Sequence, residues 1–333
     1  MYKISIIMPI FNVEEYLERS FKSILHQTMN LEEIEIIMVD DCSTDNTKEI
    51  MKEYSNKYTN FKSLFHEENS GGCAIPRNTG LEIASGKYIM FLDPDDEYAK
   101  DMCETLYNKI EENNVDLVRC NYEMIYSDFS RLDYVYDKNI HELEINCKTD
   151  LPPNKVTVWN GIHRKSFLDE FNIKFEDLKN AEDLLFTMTE FLNTDKIIFL
   201  NNYHGYKYYT NEVISHQMKP NKKNLEGTLS SWYRTKELFE SKNRPDLLKY
   251  VFTRNALPFF IRLINYDGDK KEFLEKFYDF EKSLNTEIYF DYEWANILNK
   301  LIINRKFTLA LIYMKMLNFI RNGPILNFYR KTL

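Results

Sequence analysis

Apolar positions in the first 120 residues follow two alternating periods. Residues 4–11 form a short, nearly unbroken apolar run ending beside Pro9 and Asn12, as a buried strand does. Val13, Tyr16, Leu17, Phe21, Ile24 and Leu25 then recur every three or four residues, which is one face of a helix. The same reading predicts a strand over 35–39, a helix over 45–57 with Ser43 or Thr44 as its N-cap, and a strand over 61–65. A helix over 74–84 stops at Ser85-Gly86, a strand covers 88–92, a helix 100–112 and a strand 116–124. Strands alternating with helices of this length make βαβ units, so the fold class is α/β, with a mostly parallel sheet flanked by helices.

Ligands of such sheets sit beyond the carboxyl ends of the strands. That rule selects Pro9 and Asn12 after the first strand, Asp40 and Asp41 after the second, Asn69 with Gly71 and Gly72 after the third, and Asp93, Asp95 and Asp96 after the fourth. All of these unusual polar positions fall on one rim. Residues 125–155, punctuated by Pro152-Pro153, are poorly patterned and read as an excursion from the sheet. Helices follow at 164–170 and 182–193, the latter with an apolar stripe of Leu184, Leu185, Met188, Phe191 and Leu192, and a late strand at 196–200. From Leu225 the pattern is mainly helical, broken near Gly268 and at Gly323-Pro324. The expected organisation is an α/β domain over 1–220, changing in pattern at about 120, then a helical region over 221–333.

Composition narrows the class. With 333 residues, 44% hydrophobic and 29% charged, the chain can bury a core without staples. A net charge of -9 argues against a general nucleic-acid partner. Cys42, Cys73, Cys103, Cys120 and Cys147 are odd in number and never in a C-x-x-C pair, which suggests small buried hydrophobes rather than disulfides or zinc. No basic, apolar leader opens the chain, and no run reaches the roughly 18 uninterrupted apolar residues of a membrane span. The expectation is a cytoplasmic protein.

Four segments carry chemistry. Asp93-Pro94-Asp95-Asp96 sets three mutually repelling carboxylates at a strand end, where a hard divalent ion can hold them and bridge a diphosphate. Asp40-Asp41 can accept from an imide N–H or a ribose hydroxyl, or serve as turn caps. In Asn69-Ser70-Gly71-Gly72 and Pro76-Arg77-Asn78, two glycines open a helix and Arg77 offers a fixed cationic fork to a phosphate or base. Glu182-Asp183 opens a helix, where acids complement the dipole; an acid that faced the strand-end rim could act as general base on an acceptor hydroxyl.

Taken in order, Pro9-Ile10-Phe11-Asn12, Val39-Asp40-Asp41-Cys42-Ser43-Thr44-Asp45, Asn69-Ser70-Gly71-Gly72 with Pro76-Arg77-Asn78-Thr79-Gly80-Leu81, Phe91-Leu92-Asp93-Pro94-Asp95-Asp96 and Ala181-Glu182-Asp183 resemble the family 2 inverting glycosyltransferases of GT-A fold. Within that family the likeness is greatest to the enzymes that glycosylate poly(ribitol phosphate) of wall teichoic acid, and it covers residues 1 to about 215. The resemblance implies a UDP-sugar donor of GlcNAc, glucose or galactose type, a Mn²⁺ or Mg²⁺ ion, and an acceptor hydroxyl on a polyol phosphate or polysaccharide, including its lipid-linked precursor. It makes 1–220 a catalytic domain with a nucleotide half at about 1–120 and an acceptor half at about 121–220. It places Pro9 and the adjoining Phe11 and Asn12 against the nucleotide, with Asp41, beside Asp40, on uracil. Asn69 and Arg77 would hold base or phosphate, Asp93 ribose or metal, Asp95 the metal, and His216 a mobile lid over the diphosphate. Asp183 would be the catalytic base, oriented beside Glu182. Relatives with a Trp-Asn-x-x-Tyr-Arg-like element often carry lysine and tyrosine where Gly161 and His163 stand here, and Trp159 is a candidate sugar platform.

Two other classes compete. A sugar-nucleotide nucleotidyltransferase would show a basic glycine-rich loop after the first strand, where Asn12-Val13-Glu14-Glu15 stands instead. A catalytically inactive sugar-binding scaffold would have lost acids that are all present here. The C-terminal stretch is distinct in charge: after Glu293 there are seven basic and no acidic residues, so the first 293 carry -16. Three readings fit 294–333: a core helix pair, a homo-oligomer contact, or a basic amphipathic surface on anionic lipid or polymer.

Overall fold

The computed structural model describes residues 2–150, 157–210, 220–286, 288–290 and 292–322. The elements begin with β1 (Ile4–Ile10), α1 (Leu17–Leu25), β2 (Ile34–Asp40), α2 (Thr47–Lys57), β3 (Phe61–Phe65), α3 (Ala74–Ile83), β4 (Tyr88–Phe91), β5 (Glu97–Tyr98) and α4 (Met102–Asn113). They continue with β6 (Leu117–Ile125), β7 (Ser130–Leu132), β8 (Glu142–Asn146), β9 (Gly161–Arg164), α5 (Lys165–Glu170), α6 (Glu182–Asn193) and β10 (Lys196–Tyr209). Contacts divide the chain into two compact units, one holding these elements and the other Lys179–Ala181 with the C-terminal helices.

In the sheet unit, β3-β2-β1-β4 run parallel, in register from Ile4↔Ile34 on one side of β1 and Ile4↔Tyr88 on the other. Every residue of β1 and β2 is buried, as expected of central strands covered on both faces. Pro9 lies inside β1, opposite Val39, rather than after it. It is tolerated because the β4 ladder ends at Ile7↔Phe91, so no partner on that side needs its missing N–H. Helix α3 packs against β1 so closely that a Cβ on Gly80 would stand 2.4 Å from Ile7.

Past β4 the sheet becomes mixed. Strand β9 inserts antiparallel between β4 and β6, β10 runs parallel to β6, and β5 closes the edge. The stretch expected to leave the sheet partly rejoins it: β7 pairs with β6, and β8 with the first half of β10. Strand β7 is three exposed residues without a period-2 signal, and β8 alternates over only Glu142-Leu143-Glu144-Ile145-Asn146 with Ile145 buried, so pairing to an existing strand edge supplies what so short a local pattern lacks. Strand β10 extends nine residues beyond the expected end at Leu200, because its polar Asn201 is buried against Asn121, whose amide donates to Asn201 Oδ1 at 3.0 Å. The N-cap of α2 is corrected as well: it is Asn46, which makes no side-chain cap bond, while Asp45 Oδ1, one residue earlier, accepts from Thr47 N–H and Ser43 Oγ accepts from Asn12 N–H.

A buried carboxylate ties the sheet together far from its functional rim. Glu35 on β2 is fully buried and accepts from Ser5 Oγ, from Lys62 and from the N–H and hydroxyl of Ser85, both at 2.8 Å. Burial pushes its carboxyl up, but the bonds from Lys62, Ser5 and Ser85 outweigh this and hold it below its ordinary value of 4.5. Its stabilisation is therefore present above about pH 4.5 and lost as pH falls through the lower folded value. Glu35→Ala is expected to cost about 3 kcal/mol, measured by urea unfolding at pH 7, the low end for a broken buried pair because Lys62 remains partly in water.

The helical unit comprises α7 (Lys222–Ser241), α8 (Leu248–Asn265), α9 (Lys270–Ser283), α10 (Glu293–Ile303) and α11 (Phe307–Asn322). Trp232, Phe252, Phe259, Phe277 and Phe280 make its aromatic core. Asn180 donates to Thr228 at 2.6 Å and Ser231 to the Ala181 carbonyl at 2.7 Å, which joins 179–181 to α7. The expected break at Gly268 separates α8 from α9; Gly323-Pro324, Arg330 and Lys331 lie outside the described residues. Leu309, Ile312 and Met316 of α11 are exposed. Among the described residues no helix is long and apolar enough to cross a membrane.

Candidate active site

The loops after β1 and β2 interlock. Asn12, with φ 50 in the left-handed region that asparagine tolerates, accepts at Oδ1 from Thr44 N–H at 2.8 Å. Val13 N–H donates to Thr47 and Glu14 N–H to Asp45. Asp40 and Asp41 point differently. Asp40, fully buried, accepts from Ser43 N–H and faces Lys48 at 3.7 Å, a brace for its own loop. Asp41 accepts at Oδ2 from the Ser70 N–H and hydroxyl, both at 2.9 Å, and Oδ1 lies 2.9 Å from His66 Nδ1. Asn69 donates to the Asp41 carbonyl, and Gly71, at φ 78, takes a backbone conformation suited to glycine. Phe11 is 45% exposed. His66, at the end of β3, was not among the residues selected from sequence. A lone histidine carries no motif, and only the parallel pairing of β2 with β3 brings it beside Asp41.

The acidic loop is more ordered than three exposed carboxylates. Asp96 is 1% exposed and turns inward, accepting from Tyr206 OH at 2.7 Å and Tyr209 N–H at 2.8 Å. Burial, then Asp95 and Asp93, push its carboxyl well up. Arg19 donates to the Asp95 carbonyl and stacks on Tyr209 at 3.6 Å, bracing the loop from behind. Only Asp93 and Asp95 remain toward the rim.

Arg77 is the centre of the site. Pro76 sits in the first turn of α3, where no helical N–H bond is lost, and Arg77 follows with 3% exposure. Its guanidinium is not a free phosphate fork. Nη2 donates to Asp93 at 3.0 Å, and Nη1 to Glu182 at 3.0 Å and Asp183 at 2.7 Å, with Phe175 beneath. Its Nε is buried without a partner. Asn78, the next residue, exchanges two bonds with the Phe175 backbone, which leads the chain toward α6. Thus α3 gathers a carboxylate from the end of β4 and two from the start of α6, separated by about 90 residues of sequence.

Burial pushes the Asp183 carboxyl up to about 7, against the pull of Arg77 and with a further push from Glu182 and Asp93. That is the poise of a general base at neutral pH. Asp95 is pushed up to about 6 by burial and then by Asp93. Among the described residues Asp95 carries no ion pair to its carboxyl, and no set of three His, Cys, Asp or Glu is placed to hold a metal. Two carboxylates with free oxygens suit a hard divalent ion that keeps its other positions for water and phosphate.

Other expectations change. Trp159 is 6% exposed and stacked on Tyr206 at 4.1 Å, so its face is covered by protein and it is not an open sugar platform. Gly161 and His163 are interior, on β9. Cys103, Cys120 and Cys147 are buried, but Cys73 is exposed and Cys42 half-buried; all five are free. His216 lies outside the described residues.

Comparison with known proteins accords with this arrangement. Solved structures of S. aureus TarS 1–349 superpose with TM-scores of 0.72 for the complex with UDP and 0.75 for the complex with UDP-GlcNAc, at 23% identity, covering 94% of this chain and 90% of that one. They share its fold, a GT-A-type sheet with a helical C-terminal region. The model for Glycosyl transferase family 2 matches residues 5–171, and the chain belongs to that family: it is a glycosyltransferase. Poly(ribitol-phosphate) beta-N-acetylglucosaminyltransferase TarP of Staphylococcus aureus is 31% identical over 91% of this chain and 89% of its own. Poly(ribitol-phosphate) beta-glucosyltransferase of Bacillus spizizenii is 34% identical over 61% of this chain, which spans 32% of that protein.

Proposed function

We propose that this enzyme transfers GlcNAc or glucose from a UDP-sugar to a hydroxyl of poly(ribitol phosphate) or a related teichoic-acid polymer, with inversion at the anomeric carbon. The observation that carries the reading is the single guanidinium of Arg77 holding Asp93 of the donor-side loop and Glu182 and Asp183 of the acceptor side in one cluster. The likeness to TarP over nearly the whole of both chains favours the polyol-phosphate acceptor.

In this scheme the Asp41 loop receives the base and the Asp93 loop the ribose and diphosphate. Asp183 takes the proton of the acceptor hydroxyl as that oxygen attacks the anomeric carbon, and UDP departs on the opposite face. Glu182 shares Arg77 with Asp183 and keeps the base oriented. No second carboxylate is assigned as nucleophile, which favours one displacement with inversion. A divalent ion at Asp95, with the free oxygen of Asp93, would supply charge neutralisation for the leaving diphosphate.

The test is UDP release with UDP-GlcNAc, UDP-glucose and UDP-galactose, poly(ribitol phosphate), and Mn²⁺ or Mg²⁺ against a chelator. Acceptor-dependent release with at least one of the first two donors, lost on chelation, is expected. Sugar 1-phosphate in place of UDP would point to nucleotidyl transfer, and no acceptor-dependent release from any donor would overturn the reading.

A further inference from the structure

Outside the carboxylate cluster and the acidic loop, the described residues of the sheet unit include a fully enclosed pair of titratable side chains that the proposed mechanism does not use. His163 and Glu190 are each 1% exposed, and His163 Nδ1 lies 2.5 Å from Glu190 Oε1. His163 Nε2 lies 3.1 Å from the Val158 carbonyl, which can only accept, so Nε2 carries a proton. Both ring nitrogens are therefore engaged, and a proton lies between Nδ1 and the carboxyl.

The location of the pair gives it consequence. His163 sits on β9 opposite Ile89 of β4, the strand that delivers Asp93 two residues after its end. Glu190 lies on α6, two turns beyond Asp183 on the same helix. The imidazole also meets the edges of Phe91, the last residue of β4, and Phe186, in the first turns of α6, at 5.5 and 6.0 Å between ring centroids. A polar pair costs desolvation in such a core, where an apolar pair of the same shape would pack without that cost. What it adds over apolar packing is direction: the bond to the Val158 carbonyl fixes the imidazole on its strand, and the bond from that fixed ring to Glu190 favours one axial and rotational setting of α6 on the sheet.

We propose that His163 and Glu190 form a clamp that sets the register of α6 on the sheet, and so positions Asp183 and Glu182 against Arg77 and Asp93. They are positioning residues, since neither touches the reacting atoms. The inference rests on the proposed function only for its catalytic consequence.

Its test separates the two. The double variant His163→Phe/Glu190→Leu keeps the apolar volume while removing both bonds, and Glu190→Gln keeps both bonds, because an amide N–H can donate to Nδ1 of a neutral imidazole. The expected result is a folded double variant with UDP affinity and KM for the donor within about twofold of wild type and kcat lowered about tenfold or more, with Glu190→Gln restoring most of the rate. Hydrogen exchange over Glu182–Asn193 reads the clamp without turnover: faster exchange there in the double variant, and near wild-type exchange in Glu190→Gln, is expected. Failure of the wild-type enzyme to transfer sugar would sink the function reading and leave the exchange comparison to judge the clamp. Unchanged α6 exchange, or wild-type kcat in the double variant, would overturn the clamp.

Discussion

Asp183→Asn is expected to lower kcat by about 10²–10⁴-fold while UDP affinity stays within a few-fold of wild type, the range for loss of a positioned general base. The amide keeps the shape of the side chain and can accept from Arg77, so the cluster is not dismantled; what is lost is the capacity to take a proton. The pH profile carries the same signature. The carboxyl is pushed up to about 7 by burial, so the competent, ionised form is the major one only above that value. On the acid side log kcat/KM should rise with unit slope and level near pH 7, and in the variant this limb should vanish. Isothermal titration with UDP and a pH series of UDP release check both halves. A folded variant that lost UDP binding would move Asp183 from the acceptor side to the nucleotide pocket.

Arg77→Met is expected to cost about 3–5 kcal/mol and essentially all transfer, because it leaves Asp93, Glu182 and Asp183 clustered without their shared cation. The pH dependence is the diagnostic feature. Without Arg77, burial, Glu182 and Asp93 push the Asp183 carboxyl up with no cation to oppose them, so the folded state binds more protons and stability falls as pH rises from the unfolded to the folded value of that group. The gap between variant and wild type should be smaller at pH 5.5 than at pH 8, as measured by urea unfolding. Arg77→Lys should recover part of the stability and little of the rate, since one ammonium cannot reproduce two terminal nitrogens aimed at three carboxylates. If Arg77 were a phosphate ligand without this organising role, its removal would raise the KM for the donor and leave stability near wild type.

The two variants read different parts of one arrangement. In the proposed mechanism Asp183 supplies the proton acceptor, and Arg77 sets where that acceptor stands relative to the Asp93 loop. Asn78, tied to Phe175, extends this support toward α6, so α3 serves the site through two consecutive side chains with different tasks.

Much of the donor half was legible in the sequence. Buried parallel strands are continuous apolar runs and their connecting helices have a clear period, so β1 to β4 and α1 to α3 fall within a few residues of expectation. The rim residues followed from the rule that ligands sit beyond strand ends. Partnership was less visible. Three neighbouring acids read as three equivalent ligands, yet Tyr206 and Tyr209, more than 100 residues away, turn Asp96 inward. Asp40 and Asp41 are adjacent in sequence but are held by different groups. Strand β9 escaped detection because four residues flanked by two strands need no pattern of their own.

The sequence by itself determined the α/β class, the order of strands and helices in the donor half, and the chemical types along the rim. Those depend on local periodicity and on side-chain chemistry, which a linear chain displays. Tertiary structure decided that Arg77 serves carboxylates, that Asp93 and Asp183 share its guanidinium, and that a histidine on β9 bonds to Glu190 of α6. Each of these joins residues from separate elements, and the sign and strength of a charge interaction depend on distance and burial, which only the packed chain sets.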